Sequence, residues 1–135
     1  MSQAEKNAIE LAVNGFYDAL GFLFLGDDQP MQKVWSHQED VVYMGPDGLY
    51  LIGWAAISNM WKSVAVMKLG GKVIPKNKHT ITGDNISIVT CIEAGTNVVK
   101  GKTELVEIRS STVFRKENNV WMVIAHQTDL LRFMG

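Results

Sequence analysis

Residues 110–128 read Ser110-Ser111-Thr112-Val113-Phe114-Arg115-Lys116-Glu117-Asn118-Asn119-Val120-Trp121-Met122-Val123-Ile124-Ala125-His126-Gln127-Thr128. Two runs rich in β-branched and aromatic residues flank an Asn-Asn pair, the pattern of an antiparallel hairpin with a two-residue turn. With Asn118 and Asn119 as the bend, Glu117 faces Val120. Pairing then runs Phe114 with Val123, Thr112 with Ala125 and Ser110 with Gln127. Side chains alternate across a strand, so these six share one face. Val113 with Ile124, Ser111 with His126, and Arg109 with Thr128 share the other. The first face starts apolar and becomes small and polar toward Ser110 and Gln127. A helix over it buries Phe114 and Val123 and leaves room near Thr112 and Ala125. Two readings fit such a floor: a ligand cavity, or a packed core with ordered water on Thr112 and Gln127. The second face is half apolar and suits pairing with another subunit, with Arg109 and His126 as polar interface contacts. A one-residue slip in register exchanges the two faces.

The rest of the chain supplies what covers that sheet. Ser2 and Glu5 have capping-box spacing. After them Ile9, Val13, Phe16, Leu20 and Leu23 recur at steps of four and three, widened by Tyr17 and Phe24, as one apolar helical stripe. Gly26 is a stop. Asp27 or Asp28 caps a short second helix with Pro30 in its first turn and Met31, Val34 and Trp35 as its apolar side. Val41 to Met44 reads as a strand, Gly45-Pro46-Asp47-Gly48 as a turn, and Leu49 to Ile52 as a return strand. Trp54, Ile57, Met60, Trp61 and Val64 form a second amphipathic stripe, ending before Gly70-Gly71. Beyond it lie strands over Lys72–Thr82 and Ile86–Ala94, a loop from Gly95 to Gly101, and the closing hairpin from Glu104. Helices first and long antiparallel strands after is an α+β order.

Composition bounds the partners. The chain has 135 residues, 47% of them apolar and 20% charged, enough for one domain with one core. A formal net charge of −1 argues against nucleic-acid and anionic-membrane partners. Lys72, Lys76 and Lys78 read as a solvated strand face. No apolar run approaches the ~20 residues of a membrane span, and the N-terminal residues carry no signal-peptide pattern. Cys91 is the only cysteine, which fits a reducing compartment; the expected location is cytoplasmic. No Gly-rich phosphate loop, metal motif or nucleophile elbow appears, so neither a metal nor another cofactor is expected.

Asp40-Val41-Val42-Tyr43, then Gly45-Pro46-Asp47-Gly48, then Gly53 with Ala56-Ile57 and Trp61, resembles the first half of the SnoaL-like family. Thr112 to Lys116 followed by Trp121 to Thr128 resembles its closing hairpin. The family belongs to the nuclear transport factor 2-like superfamily, and the association domain of calcium/calmodulin-dependent kinase II has a similar ending. The resemblance runs from about Ala4 to Leu130. It implies a cone-shaped α+β domain over the whole chain, with three or four helices packed in the concavity of a strongly bent, mainly antiparallel mixed sheet. It also implies an internal cavity, dimerisation through the outer sheet face, and inward-pointing Glu93, Thr112 and Gln127. The sequence departs from its relatives at three places. Similar hairpins end in Trp-x-x-x-His-x-His, where this chain has Ala125 and Gln127. Ketosteroid isomerases of the superfamily carry a catalytic Asp where Gly45 stands. The kinase domain has an arginine at the position of Glu93.

Each candidate residue has a chemical and a structural reading. Inside a pocket, desolvation raises the pKa of Glu93 toward that of a usable general base; otherwise it is an outward strand-end carboxylate. Asp129 is a base at the cavity mouth, as in the polyketide cyclases this family resembles, or part of a solvated turn. His126 is an acid–base group or a sheet-surface histidine; His37 and His79 read as surface residues. Tyr17, Tyr43, Trp54 and Trp61 offer aromatic surface to a flat apolar ligand, or simply fill the core. Cys91 reads as an inert buried thiol. Three functions follow from these readings: a homodimeric small-molecule-binding domain; an isomerase, cyclase or dehydratase with Glu93 or Asp129 as proton-transfer base; or an oligomerisation module.

Overall fold

The computed structural model describes residues 2–134; Met1 and Gly135 lie outside the described residues. Helix α1 spans Gln3–Phe24, α2 Gln29–Val34 and α3 Trp54–Met67. The strands are β1 Val42–Met44, β2 Tyr50–Ile52, β3 Lys72–Ile81, β4 Ile86–Val99, β5 Lys102–Glu117 and β6 Val120–Thr128. They form one open six-stranded sheet in the order β2-β1-β6-β5-β4-β3. Among the described strands β1 against β6 is parallel, joined by an isolated parallel bridge between Trp35 and Val123, and the other strand pairs are antiparallel.

The helices form where the apolar spacing places them. The Ser2 hydroxyl accepts from the Glu5 amide at 3.1 Å and caps α1. Ile9, Val13, Phe16, Leu20 and Leu23 all lie on its buried stripe. Gly26 follows with φ +100°, a left-handed exit that glycine adopts without strain. In α3 the stripe Ile57, Met60, Trp61 and Val64 is buried. Both long helices bury these stripes in one core with Val89, Phe114 and Val123 from the sheet.

Asn118 and Asn119 form the bend, with φ of 51° and 63°, the left-handed pair that a tight hairpin requires. We expect Asn119→Val to cost about 1–2 kcal/mol and Asn119→Gly to be neutral or stabilising, as urea unfolding would show. Glu117 pairs with Val120 and Phe114 with Val123 as the spacing predicts. Beyond that point the pairing differs. Val113 faces Ala125, so Ile124 is left without a partner as a bulge; Thr112 then faces His126, Ser111 faces Gln127 and Ser110 faces Thr128. One extra residue re-aims everything beyond it. His126 is therefore indoors and Gln127 outdoors, the reverse of the regular register.

The expected loop from Gly95 to Gly101 is also corrected. β4 continues to Val99 and turns into β5 through Lys100 and Gly101, at φ 53° and 78°. Gly95 serves close packing: a Cβ there would lie 1.8 Å from the Lys72 carbonyl oxygen of the adjoining strand. No described helix is long and apolar enough to cross a membrane.

Candidate functional site

The bulge brings residues from five elements to one point on the inner face. Glu93 projects from β4 and is buried. Its Oε2 accepts from the Tyr17 hydroxyl of α1 at 2.9 Å and lies 3.2 Å from His126 Nε2 on β6. The other imidazole nitrogen, Nδ1, is 2.8 Å from Thr112 Oγ1 on β5. Phe16 packs over the imidazole with ring centres 4.7 Å apart. Tyr17 Oη also lies 3.2 Å from Cys91 Sγ and 3.5 Å from Ser110 Oγ. Tyr43 on β1 is the direct neighbour of His126 across the parallel pair. Tyr17, Glu93, His126, Thr112, Cys91 and Ser110 thus form a buried chain of polar groups, each with a partner, as a dry interior demands.

Beside this chain lies a cavity of ≈ 50 Å³, several times what one water needs. Phe16, Leu20 and Leu23 of α1, Trp61 and Val64 of α3, and Tyr43, Val106 and Ile108 of the sheet give it apolar walls. Glu93, His126, Asn97 and Thr128 are its polar groups. Pro46, Leu131 and Met134 also border it, and the Leu131 amide donates to the Pro46 carbonyl at 3.0 Å.

The electrostatics follow from burial and partners. Burial pushes the Glu93 carboxyl up, but the bond and charge of His126, with the Tyr17 hydroxyl, outweigh it and hold Glu93 below its ordinary 4.5. The unfolded chain therefore takes up its proton first as pH falls. The stability due to the pair is present above about 4.5 and is lost as pH drops through the lower folded value. Acid titration of unfolding free energy should show this loss in the parent protein and a shallower one in Glu93→Gln. Burial, and then the Glu93 charge, raise Tyr17 far above the usual phenol range. Burial also raises the Cys91 thiol, which disfavours the reactive thiolate.

The other expected site residues separate. Ser110 is buried beside Tyr17, and Thr112 holds the imidazole. Trp61 borders the cavity, but Trp54 does not; it stacks on His37 at 4.4 Å and lies 6.3 Å from Trp35, away from the cavity wall. Gln127 is exposed and is not a pocket residue. Asp129 is no base at the cavity mouth. It is half-buried beside Arg109, which donates to it from Nε and Nη2, both at 2.9 Å, and from its backbone amide at 3.0 Å. Those bonds and the guanidinium charge pull the Asp129 carboxyl down to about 2, too acidic to take up a proton near neutrality. His126 is not an interface contact of the outer face, whereas Arg109 does stand on that face. Among the described residues no cluster of His, Cys, Asp and Glu could hold a metal ion. The geometry adds Asn97, Thr128 and the C-terminal Leu131 and Met134 to the cavity wall. No local signal marks the inward turn of His126: Val120 to Ala125 is an unbroken apolar run, with no alternation for a bulge to interrupt.

A family model described as a SnoaL-like domain matches residues 9–128. No curated protein matches the chain in sequence. Among solved structures, a candidate dehydratase of the nuclear transport factor 2-like family from Streptomyces avermitilis superposes with a TM-score of 0.82 at 16% identity, over 96% of this chain and 99% of its own. A candidate calcium/calmodulin-dependent protein kinase type II association domain from Thiobacillus denitrificans gives 0.72 at 24% identity, over 91% and 94%. A candidate ketosteroid isomerase from Shewanella frigidimarina gives 0.74 at 18% identity, over 90% and 94%. At these identities the likeness is one of fold.

Proposed function

The chain belongs to the SnoaL-like domain family, and from that premise we propose that it is a homodimeric small-molecule-binding domain whose ligand sits between α1, α3 and the inner face of the sheet. One observation carries this reading: an apolar cavity whose wall holds a fully partnered Glu93–His126 pair. Shielded apolar space with a few oriented polar groups is what small-ligand sites require. The dimer reading is supported by the outer face of the sheet, along which Ile86 of β4 and Leu105 of β5 are exposed, with Arg109 between their positions on β5. Sedimentation of the chain at micromolar concentration tests it; a monomer there counts against it. The near-zero net charge and the single buried Cys91 favour cytoplasmic work without nucleic-acid or membrane partners.

Ligand binding is tested by following backbone amide shifts on addition of small apolar compounds. Shifts are expected at Phe16, Tyr43, Trp61, Val106 and His126. Undisturbed spectra with every compound would count against the reading. Asp129→Asn should leave these shifts and affinities unchanged, because Asp129 faces away with Arg109.

A second reading has its own support. Glu93 Oε2 sits between a tyrosine hydroxyl and an imidazole at the cavity wall; these bonds lower its basicity, so on this reading it takes a ligand proton only when the ligand displaces one of them. Proton transfer is the chemistry of isomerases, cyclases and dehydratases, and structural neighbours include candidates for two of those classes. On this reading Glu93→Gln lowers turnover by about 10²–10⁴-fold with little change in ligand affinity. Unchanged turnover in that variant removes Glu93 from the chemistry.

A further inference from the structure

Tyr43 differs from every other polar group around the cavity. It is 2% exposed, stands on the inner face of β1 beside His126, and borders the cavity. Tyr17 has Glu93, Cys91 and Ser110 as partners, yet the Tyr43 hydroxyl has no hydrogen bond to any described residue. Burial and the charges of Asp47 and Glu93 push its pKa far above the phenol range, so it keeps its proton. The other wall donors are committed: Asn97 Nδ2 to the Gly70 carbonyl at 2.9 Å, and Thr128 Oγ1 to the Asp129 carbonyl at 2.9 Å. The Trp61 indole nitrogen also lacks a partner but is sealed in packing; its ring lies edge-on to Tyr43 at 5.3 Å. Unlike the Trp35 and Trp61 indole nitrogens, the Tyr43 hydroxyl is not sealed off; an O–H that keeps open space beside it and has no protein acceptor is free to donate to a ligand that supplies one.

Resting on the binding reading above, we infer that Tyr43 is the ligand-recognising donor of this cavity, and that the ligand is a small, uncharged, mostly apolar compound presenting a ketone or aldehyde oxygen. An acceptor-only oxygen satisfies the hydroxyl and brings no donor of its own that the apolar wall must match. An anion is disfavoured by Glu93 in the same wall. A cation finds that carboxylate already engaged by His126 and Tyr17. The cavity size limits the ligand to about one ring.

The test uses cyclohexanone, cyclohexane and cyclohexylammonium as probes in amide-shift titrations of the parent protein and Tyr43→Phe. Cyclohexanone should bind the parent roughly three- to tenfold more tightly than Tyr43→Phe, the loss expected for one neutral hydrogen bond. Cyclohexane should bind both alike. In the parent protein, with no variant needed, the infrared carbonyl stretch of bound cyclohexanone should move to lower frequency than in hexane. An unshifted stretch, equal ketone affinity in the two proteins, or tighter binding of the ammonium overturns the inference and leaves the pocket standing. If no probe shifts any cavity residue, the binding reading itself falls and takes this one with it.

Discussion

Glu93→Ala should lower the unfolding free energy by about 3–5 kcal/mol, the usual consequence of removing one member of a buried pair. Two groups lose their partner: His126 Nε2, at 3.2 Å, and the Tyr17 hydroxyl, at 2.9 Å. Neither reaches bulk water, since His126 is 4% exposed and Tyr17 8%. In thermal melts the change amounts to roughly 10–20 °C for a chain of this size. The combined change Glu93→Leu, His126→Leu, Tyr17→Phe, with Thr112→Val and Ser110→Ala to remove the hydroxyls that bond His126 and Tyr17, should recover most of the loss, because few buried polar groups are then stranded. A loss below about 1 kcal/mol in the alanine variant would show instead that solvent reaches the pair and screens it.

Phe16→Ala should be comparably severe, about 3–5 kcal/mol, and it should enlarge the cavity. Phe16 is 1% exposed; its ring closes over His126 at 4.7 Å and meets Tyr17 edge-on at 5.1 Å. Removing it joins the space of a phenyl ring to the existing void. Ligand rescue separates this outcome from collapse. Benzene or indole at 100 times its dissociation constant should restore roughly 2.7 kcal/mol to the variant and much less to the parent. Destabilisation without rescue would mean that α1 moves in to fill the gap.

Much of this architecture is legible in the chain because it rests on local chemistry. The steps from Ile9 to Leu23 set one buried helical face whatever lies beneath it. Asn118 and Asn119 tolerate positive φ, so the bend is written in two residues. The site is less legible because it depends on pairings that no local run encodes. Ile124 bulges out of the ladder where β6 must pair with β5 on one side and with β1 on the other; that demand acts across the sheet. Regular alternation therefore puts Gln127 in the place that His126 holds. Gly95 looks like the start of a loop because glycine is a common breaker, but what it answers to is the Lys72 backbone pressed against it. Asp129 is adjacent in sequence to the cavity residue Thr128, and only the position of Arg109 on the neighbouring strand decides that it turns outward.

Tyr43 and Gly45 constrain one another's evolution. A Cβ at position 45 would fall 1.9 Å from the Tyr43 hydroxyl oxygen, so no substitution at 45 fits while that phenol holds its place. A lineage acquiring an acidic side chain at 45 must therefore shrink or swing residue 43 beforehand, and the reverse order passes through a poorly packed intermediate. The two sites are epistatic with a preferred direction. A library that randomises position 45 alone should return glycine almost exclusively, whereas randomising both should release it.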